Sequence, residues 1–144
     1  MRYRFVDCRW QLGNPGRGRE LYRDGHACER WNMLHPTEEQ KTPYVTQCLA
    51  DAPGVIVAAS DYLKVLPDSI DRWMPRRLHA LGTDGFGRSE DRRTLRDFFE
   101  VDARFVVVAT LTELAREGQI ERTVVAQAIE DLEIDPEKKV PAKS

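Results

Sequence analysis

The hydrophobic and polar positions change their rhythm several times along the chain. After Pro53-Gly54 the run Val55-Ile56-Val57-Ala58-Ala59 is short, apolar and rich in β-branched residues. That is the pattern of a strand covered on both faces in a parallel sheet. Ser60 and Asp61 follow at its carboxyl end. Leu63, Leu66, Ile70 and Trp73 then recur at steps of three, four and three, one stripe of an amphipathic helix. Pro67 lies within the stripe, so the helix is predicted to start near Val65 or to bend there. Residues 77–81 read as a second short strand, running into Gly82-Thr83-Asp84-Gly85-Phe86-Gly87-Arg88-Ser89. Ser89 is placed to cap the next helix, with Glu90 and Asp91 in its first turn and Leu95, Phe98 and Phe99 on its buried face.

Residues 102–118 carry two signals. Phe105-Val106-Val107-Val108 is strand-like in composition, yet Val107, Leu111, Leu114 and Ala115 keep a helical spacing. The length of the block, with Asp102 as cap and Gly118 as stop, predicts a helix. Residues 121–132 predict another, with Val125, Ala128, Ile129 and Leu132 on one face. Upstream, a short helix is predicted over residues 27–34 in a polar stretch broken by Pro36 and Pro43. Residues 1–19 set Arg2, Arg4, Arg9, Arg17 and Arg19 among Gly13, Pro15, Gly16 and Gly18 without apolar periodicity. They read as an irregular basic arm, and residues 137–144 as a flexible tail. The succession of strand, helix, strand and three helices is α/β. Two strands alone make no stable doubly wound sheet, so either further strands lie in the polar segments or the chain is part of a larger domain.

Composition narrows the partners. With 144 residues, 22 basic and 24 acidic side chains and a net charge of −2, the chain lacks the basic surplus of a general nucleic-acid binder. Hydrophobic residues at 41% against 32% charged suffice for a buried core, which argues against disorder of the chain as a whole. No apolar run approaches the ~20 residues of a spanning helix, so no membrane role is expected. The start does not read as a leader, which makes the expected compartment cytoplasmic. Cys8, Cys28 and Cys48 are odd in number and widely spaced, suiting reduced thiols better than a disulfide framework.

Candidate chemistry is sparse. The glycine turn at 82–87 lies between a strand and a helix, where backbone amides can cradle phosphate, but its Gly-x-x-Gly-x-Gly spacing is not the dinucleotide fingerprint and no Walker lysine follows. It reads instead as a tight turn, with Phe86 plugging the core and Asp84 or Arg88 pairing locally. His26, Cys28, His35 and Cys48 are zinc-type donors at spacings that match no common knuckle, and the nearby Trp31 and Met33 favour packing over a Cys28 nucleophile. His79, inside a strand, is expected to hydrogen-bond at the sheet surface. Asp61 and Asp84 each follow a strand, so a parallel sheet would bring both to its carboxyl edge, where open α/β folds place ligands. Asp61 serves equally as a cap for a helix beginning at Tyr62.

One stretch is more specific than any of these. Arg23-Asp24-Gly25-His26-Ala27-Cys28-Glu29-Arg30-Trp31-Asn32-Met33-Leu34-His35-Pro36 closely resembles the carboxyl-terminal domain of the homodimeric pyruvate dehydrogenase first component. The likeness continues through Pro43-Tyr44-Val45, Ser60-Asp61-Tyr62, the 81–89 glycine segment, Phe99-Glu100-Val101-Asp102 and Val106-Val107-Val108-Ala109, covering residues 20–136. A looser likeness to transketolases runs through Gly82, Asp84, Phe86, Gly87 and Ser89.

The resemblance implies an incomplete transketolase C-terminal-like domain of three layers with a mostly parallel sheet, and an enzyme several times longer than this chain. That enzyme uses thiamine diphosphate and Mg²⁺ to decarboxylate pyruvate and passes the two-carbon unit to lipoyl groups of a dihydrolipoyl acetyltransferase core. This domain's implied partners are the remaining domains of the first component and the other subunit of the homodimer. The family's cofactor motif is Gly-Asp-Gly followed by downstream asparagines, whereas Asn14 and Asn32, the asparagines here, precede Thr83-Asp84-Gly85. No catalytic, cofactor-binding or metal residue is therefore carried over, and the chain alone is expected to be inactive. Residues 1–19 do not resemble the family's opening strand, helix and second strand, so apolar faces of the first visible strand are expected to be exposed. A truncated or frameshifted reading frame, a split subunit and an excised piece all remain open. So does a free-standing module that docks on a first-component chain and modulates its assembly.

Overall fold

A computed structural model describes residues 15–143; the basic arm at 1–14, Cys8 and Ser144 lie outside the described residues. The elements are helices α1 (Pro15–Leu34) and α2 (Tyr44–Leu49), strand β1 (Ile56–Ala59), a single turn α3 (Val65–Asp68), strand β2 (Leu78–Leu81), and helices α4 (Arg92–Phe98), α5 (Ala103–Arg116) and α6 (Arg122–Asp131). The strands pair in parallel, as the α/β reading requires, and they are the two strands of the sheet among the described residues. The chain divides into two compact units, one taking the described residues up to Gly54 with Val65–Leu78, the other Val55–Lys64 with the rest.

The first unit is built on α1, which starts at Pro15, far upstream of the predicted residue 27. The irregular reading of the arm is thus corrected at residues 15–19, whose backbone is helical. The buried stripe is Gly18, Leu21, Gly25 and Cys28, at steps of three, four and three. A helical period written in glycines carries no hydrophobic signal. Its purpose is proximity: a methyl added at Gly25 would lie 2.4 Å from the Trp73 ring, and one at Gly18 would lie 3.3 Å from Leu66. Tyr22 and His26 meet the same indole edge-on at 5.9 and 5.0 Å between ring centres. The Trp73 N–H donates to Glu29 at 3.0 Å, and Arg72 pairs with the same carboxylate oxygen at 2.9 Å.

The helix predicted to start near Val65 does start there, with Pro67 in its first turn, but it lasts only the single turn α3, and a 3₁₀ turn at Asp71–Trp73 completes the segment. Ile70 and Trp73 are buried as the stripe required, but Leu63 is half exposed.

In the second unit β1 buries Ile56 and Ala58, so the expected exposure of apolar strand faces is not what the fold shows. Helix α5 packs on β1. Leu81, Phe99, Val101 and Ala109 form the core, with Val57, Leu95, Phe98, Phe105 and Val106 packed against it. The predicted α5 and α6 are present. Leu114 is buried as predicted, but the inward face of α5 also runs through Val106, Ala109 and Glu113 and leaves Val107 exposed. The carboxylate of buried Glu113 accepts a hydrogen bond from His79 Nδ1–H at 2.8 Å, the hydrogen bond expected of that strand histidine.

Asp102 caps α5 as predicted, accepting from the backbone N–H groups of Arg104 and Phe105. Gly118, at φ +71°, ends it in a Schellman turn, with Gln119 N–H bonded to Leu114 O. The cap of α4 is Asp91 and not Ser89: its carboxylate accepts from Arg93 N–H and Thr94 N–H. A carboxylate is the stronger acceptor at a positive helix end, and the backbone bends into the helix two residues later than predicted. In the tail, Lys138 Nζ sits 3.7 Å from Asp97 and the backbone of Pro141 borders Gly85.

Gly25→Ala is expected to lower the stability of the chain by about 1–3 kcal/mol through overpacking against the indole. Gly87→Ala, where a methyl meets nothing within 4 Å, is the control expected to leave the denaturant midpoint unchanged. Equal midpoints for the two variants would contradict this packing.

Burial alone would raise the Asp102 carboxyl, but hydrogen bonds from the Arg104 guanidinium and the Phe105 N–H outweigh it and hold the group below its ordinary range. A depressed native value means that the contribution is full at neutral pH and is lost as pH falls through that value. Asp102→Ala is therefore expected to cost about 0.5–2 kcal/mol at pH 7. The gap from the parent chain should close in acid, as denaturation series at stepped pH will show.

Candidate functional site

The carboxyl ends of β1 and β2 continue into two loops, residues 60–64 and 82–88, joined residue by residue. Ser60 N–H donates to Leu81 O at 3.0 Å, Thr83 N–H to Tyr62 O at 2.9 Å, and the Thr83 hydroxyl to Asp61 O at 3.0 Å. Asp84 accepts from Lys64 N–H at 2.9 Å and faces Lys64 Nζ at 3.9 Å. Gly82 makes this approach possible, since a methyl there would lie 2.6 Å from Tyr62 O and 2.8 Å from Lys64 N. Gly85, at φ +124°, sets the next bend. The turn is therefore closed on its own backbone, and its carboxylate is committed to the neighbouring loop, in line with the local-pairing reading of Asp84.

Phe86 departs from its predicted role. It does not plug the core but stands 84% exposed between two glycines. A glycine-flanked residue at the tip of a tight turn has no neighbouring side chains to fold against. Arg88 meanwhile lies over the Phe98 ring at 4.1 Å.

Asp61 is at the carboxyl edge as predicted but caps no helix. Ser60 Oγ accepts from Tyr62 N–H instead, at 3.1 Å. The Asp61 carboxylate is held by two arginines one helical turn apart on α4, by Arg96 at 3.0 and 3.3 Å and by Arg92 at 3.5 Å. The Arg96 hydrogen bond, ahead of a smaller opposing effect of burial, holds its carboxyl below the usual carboxylate range. Between the loops and α4 opens a cleft of about 340 Å³. Asp61, Arg88, Arg92 and Arg96 supply its charged lining, and Phe99 and Val101 an apolar part. Three arginines and one carboxylate line the cleft, so it suits an occupant that brings negative charge with some apolar surface. Helix α4 was legible in the sequence; its arginine face turning onto Asp61 was not, because the loop that carries Asp61 is placed by the sheet.

The metal and nucleophile candidates do not converge. His26 Nδ1 is 3.6 Å from Glu29, and His35 stacks on Trp31 at 3.7 Å with Lys41 Nζ 3.5 Å from that ring's centre. Cys28 is buried within α1, where burial, with the charge of Asp24 adding to it, raises its thiol against the weaker pull of Lys41. Cys48 is exposed. Among the described residues no three His, Cys, Asp or Glu side chains are grouped as a metal ion would need. No helix among them is long and apolar enough to cross a membrane.

Comparison with known proteins agrees with the resemblance read from the sequence. Residues 20–102 match the model of the transketolase-like TK C-terminal domain. The pyruvate dehydrogenase E1 component of Pseudomonas aeruginosa is 51% identical over 123 residues, 85% of this chain and 14% of that protein. The Haemophilus influenzae E1 component is 57% identical over 111 residues, 76% of this chain and 12% of that protein. The E1 component of Escherichia coli K12 is 52% identical over 120 residues, 83% of this chain and 13% of that protein. The chain thus spans about one eighth of the length of the relatives it matches. A glycine turn between a parallel strand and a capped helix, a matching family model and this level of identity lead to one assignment: the chain belongs to the family of transketolase-like C-terminal domains and is similar to bacterial pyruvate dehydrogenase E1 components.

Proposed function

We propose that this chain supplies the carboxyl-terminal part of a pyruvate dehydrogenase first component, with a structural and dimer-forming role and no catalysis of its own. In this reading the complete enzyme acts in the cytoplasm, decarboxylates pyruvate with thiamine diphosphate and Mg²⁺, and delivers the acetyl unit to a dihydrolipoyl acetyltransferase core. The cofactor carries the carbanion chemistry. The observation that carries the proposal is identity of 51% and 52% to E1 components over more than four fifths of this chain.

The site supports a non-catalytic role. Thiamine diphosphate and its cation do not fit the glycine turn: Asp84 is committed to Lys64, and the Tyr62 carbonyl closes the backbone at Gly82. No chemical step is therefore routed through these residues. What they do is hold two loops and an arginine face in one arrangement, which is what a docking domain contributes.

The purified chain, given pyruvate, thiamine diphosphate and Mg²⁺, is expected to release no carbon dioxide. Co-expressed with an Escherichia coli E1 chain lacking the matching segment, it is expected to restore both dimerisation and pyruvate oxidation. Turnover by the isolated chain, or no recovery on co-expression, would overturn the proposal.

A further inference from the structure

We infer that the two joined loops and the arginine cleft form the surface by which this chain docks on the remainder of an E1 chain. The occupant is a segment presenting a carboxylate beside an apolar side chain. The inference rests on the proposed function and adds to it the face and the chemistry of the contact.

Three large apolar side chains project from the loop pair: Tyr62 at 54% exposure, Leu63 at 50% and Phe86 at 84%. Their loops are locked together through Thr83, Asp84 and Gly82, so these side chains are presented on a fixed backbone and lose little freedom on binding. Aromatic side chains held in this way are the usual anchors of protein interfaces. Gly85 and Gly87, on either side of Phe86, themselves line the cleft, so the exposed ring adjoins the arginines.

Charge selects the occupant. Asp61 balances one of the guanidinium groups around it, while Arg92 is 77% exposed and Arg88 leans on Phe98, and among the described residues Asp61 is the acid that lines the cleft. The surplus is positive, and a carboxylate on the partner would complete it with charge-assisted hydrogen bonds. Length identifies the bearer. In the E1 relatives the matched segment is 12–14% of the protein, so most of each relative's chain lies outside it and is covalently joined to it.

Binding of the full 144-residue chain to the Escherichia coli E1 chain lacking the matching segment, measured by titration calorimetry, tests the inference. Phe86→Ala is expected to weaken binding about tenfold or more. Arg92→Glu should weaken it and flatten its dependence on salt. Val124→Ser, on exposed α6, serves as the control expected to bind like the parent chain. Unchanged thermal midpoints will show that the Phe86 and Arg92 variants fold. If the parent chain binds and both variants bind equally well, the docking surface is refuted while the proposed function stands. If the parent chain does not bind, both are refuted. If Phe86→Ala abolishes self-association and leaves E1 binding intact, the occupant is a second copy and the inference is wrong.

Discussion

The backbone approach at Gly82 governs the arrangement of the loops at the carboxyl edge of the sheet. Only a residue without a side chain lets the strand that ends at Leu81 run against the Tyr62 carbonyl and the Lys64 N–H, and the contacts of Thr83 and Asp84 follow from that proximity. With the loops joined, Asp61 meets Arg92 and Arg96, the cleft has its charged wall, and Phe86 is held out in solvent. A residue larger than glycine at position 82 would part the loops and dissolve each of these relations together.

The first unit obeys the same rule in a different element. Helix α1 approaches Trp73 across Gly25 because the indole occupies the place a side chain would take, and Tyr22, His26 and Glu29 surround the ring. This also explains what the sequence concealed. Helices announce themselves through large apolar residues at a period of three to four, and α1 buries Gly18, Leu21, Gly25 and Cys28 instead, so only its Trp31 end was legible. Where the stripe was written in leucine, valine and phenylalanine, as in α4, α5 and α6, the elements were read correctly. The start near Val65 was legible from Pro67, but not that a single turn would be followed by a 3₁₀ turn.

The site was legible in its parts and hidden in its assembly. The strand-to-helix position of the glycine turn and the carboxyl-edge placement of Asp61 and Asp84 follow from the order of elements. The partners of those carboxylates do not, because Arg96 and Lys64 are brought to them by tertiary contacts across 35 and 20 residues. Phe86 was misread because an aromatic residue is a core residue by default, and only the turn's geometry shows it pointing outward. Glu113 gave no sign, since a charged residue on an apolar helical stripe is recognised as buried only when its partner His79 is in place.

If the loop pair at the carboxyl edge of the sheet is a preformed surface for the rest of an E1 chain, amide hydrogen exchange of residues 60–64 and 82–88 will differ between the free chain and its co-assembled complex with the shortened E1 chain. Exchange in both loops is expected to slow together on assembly. Protection that spares both loops and falls on α6 instead would contradict it.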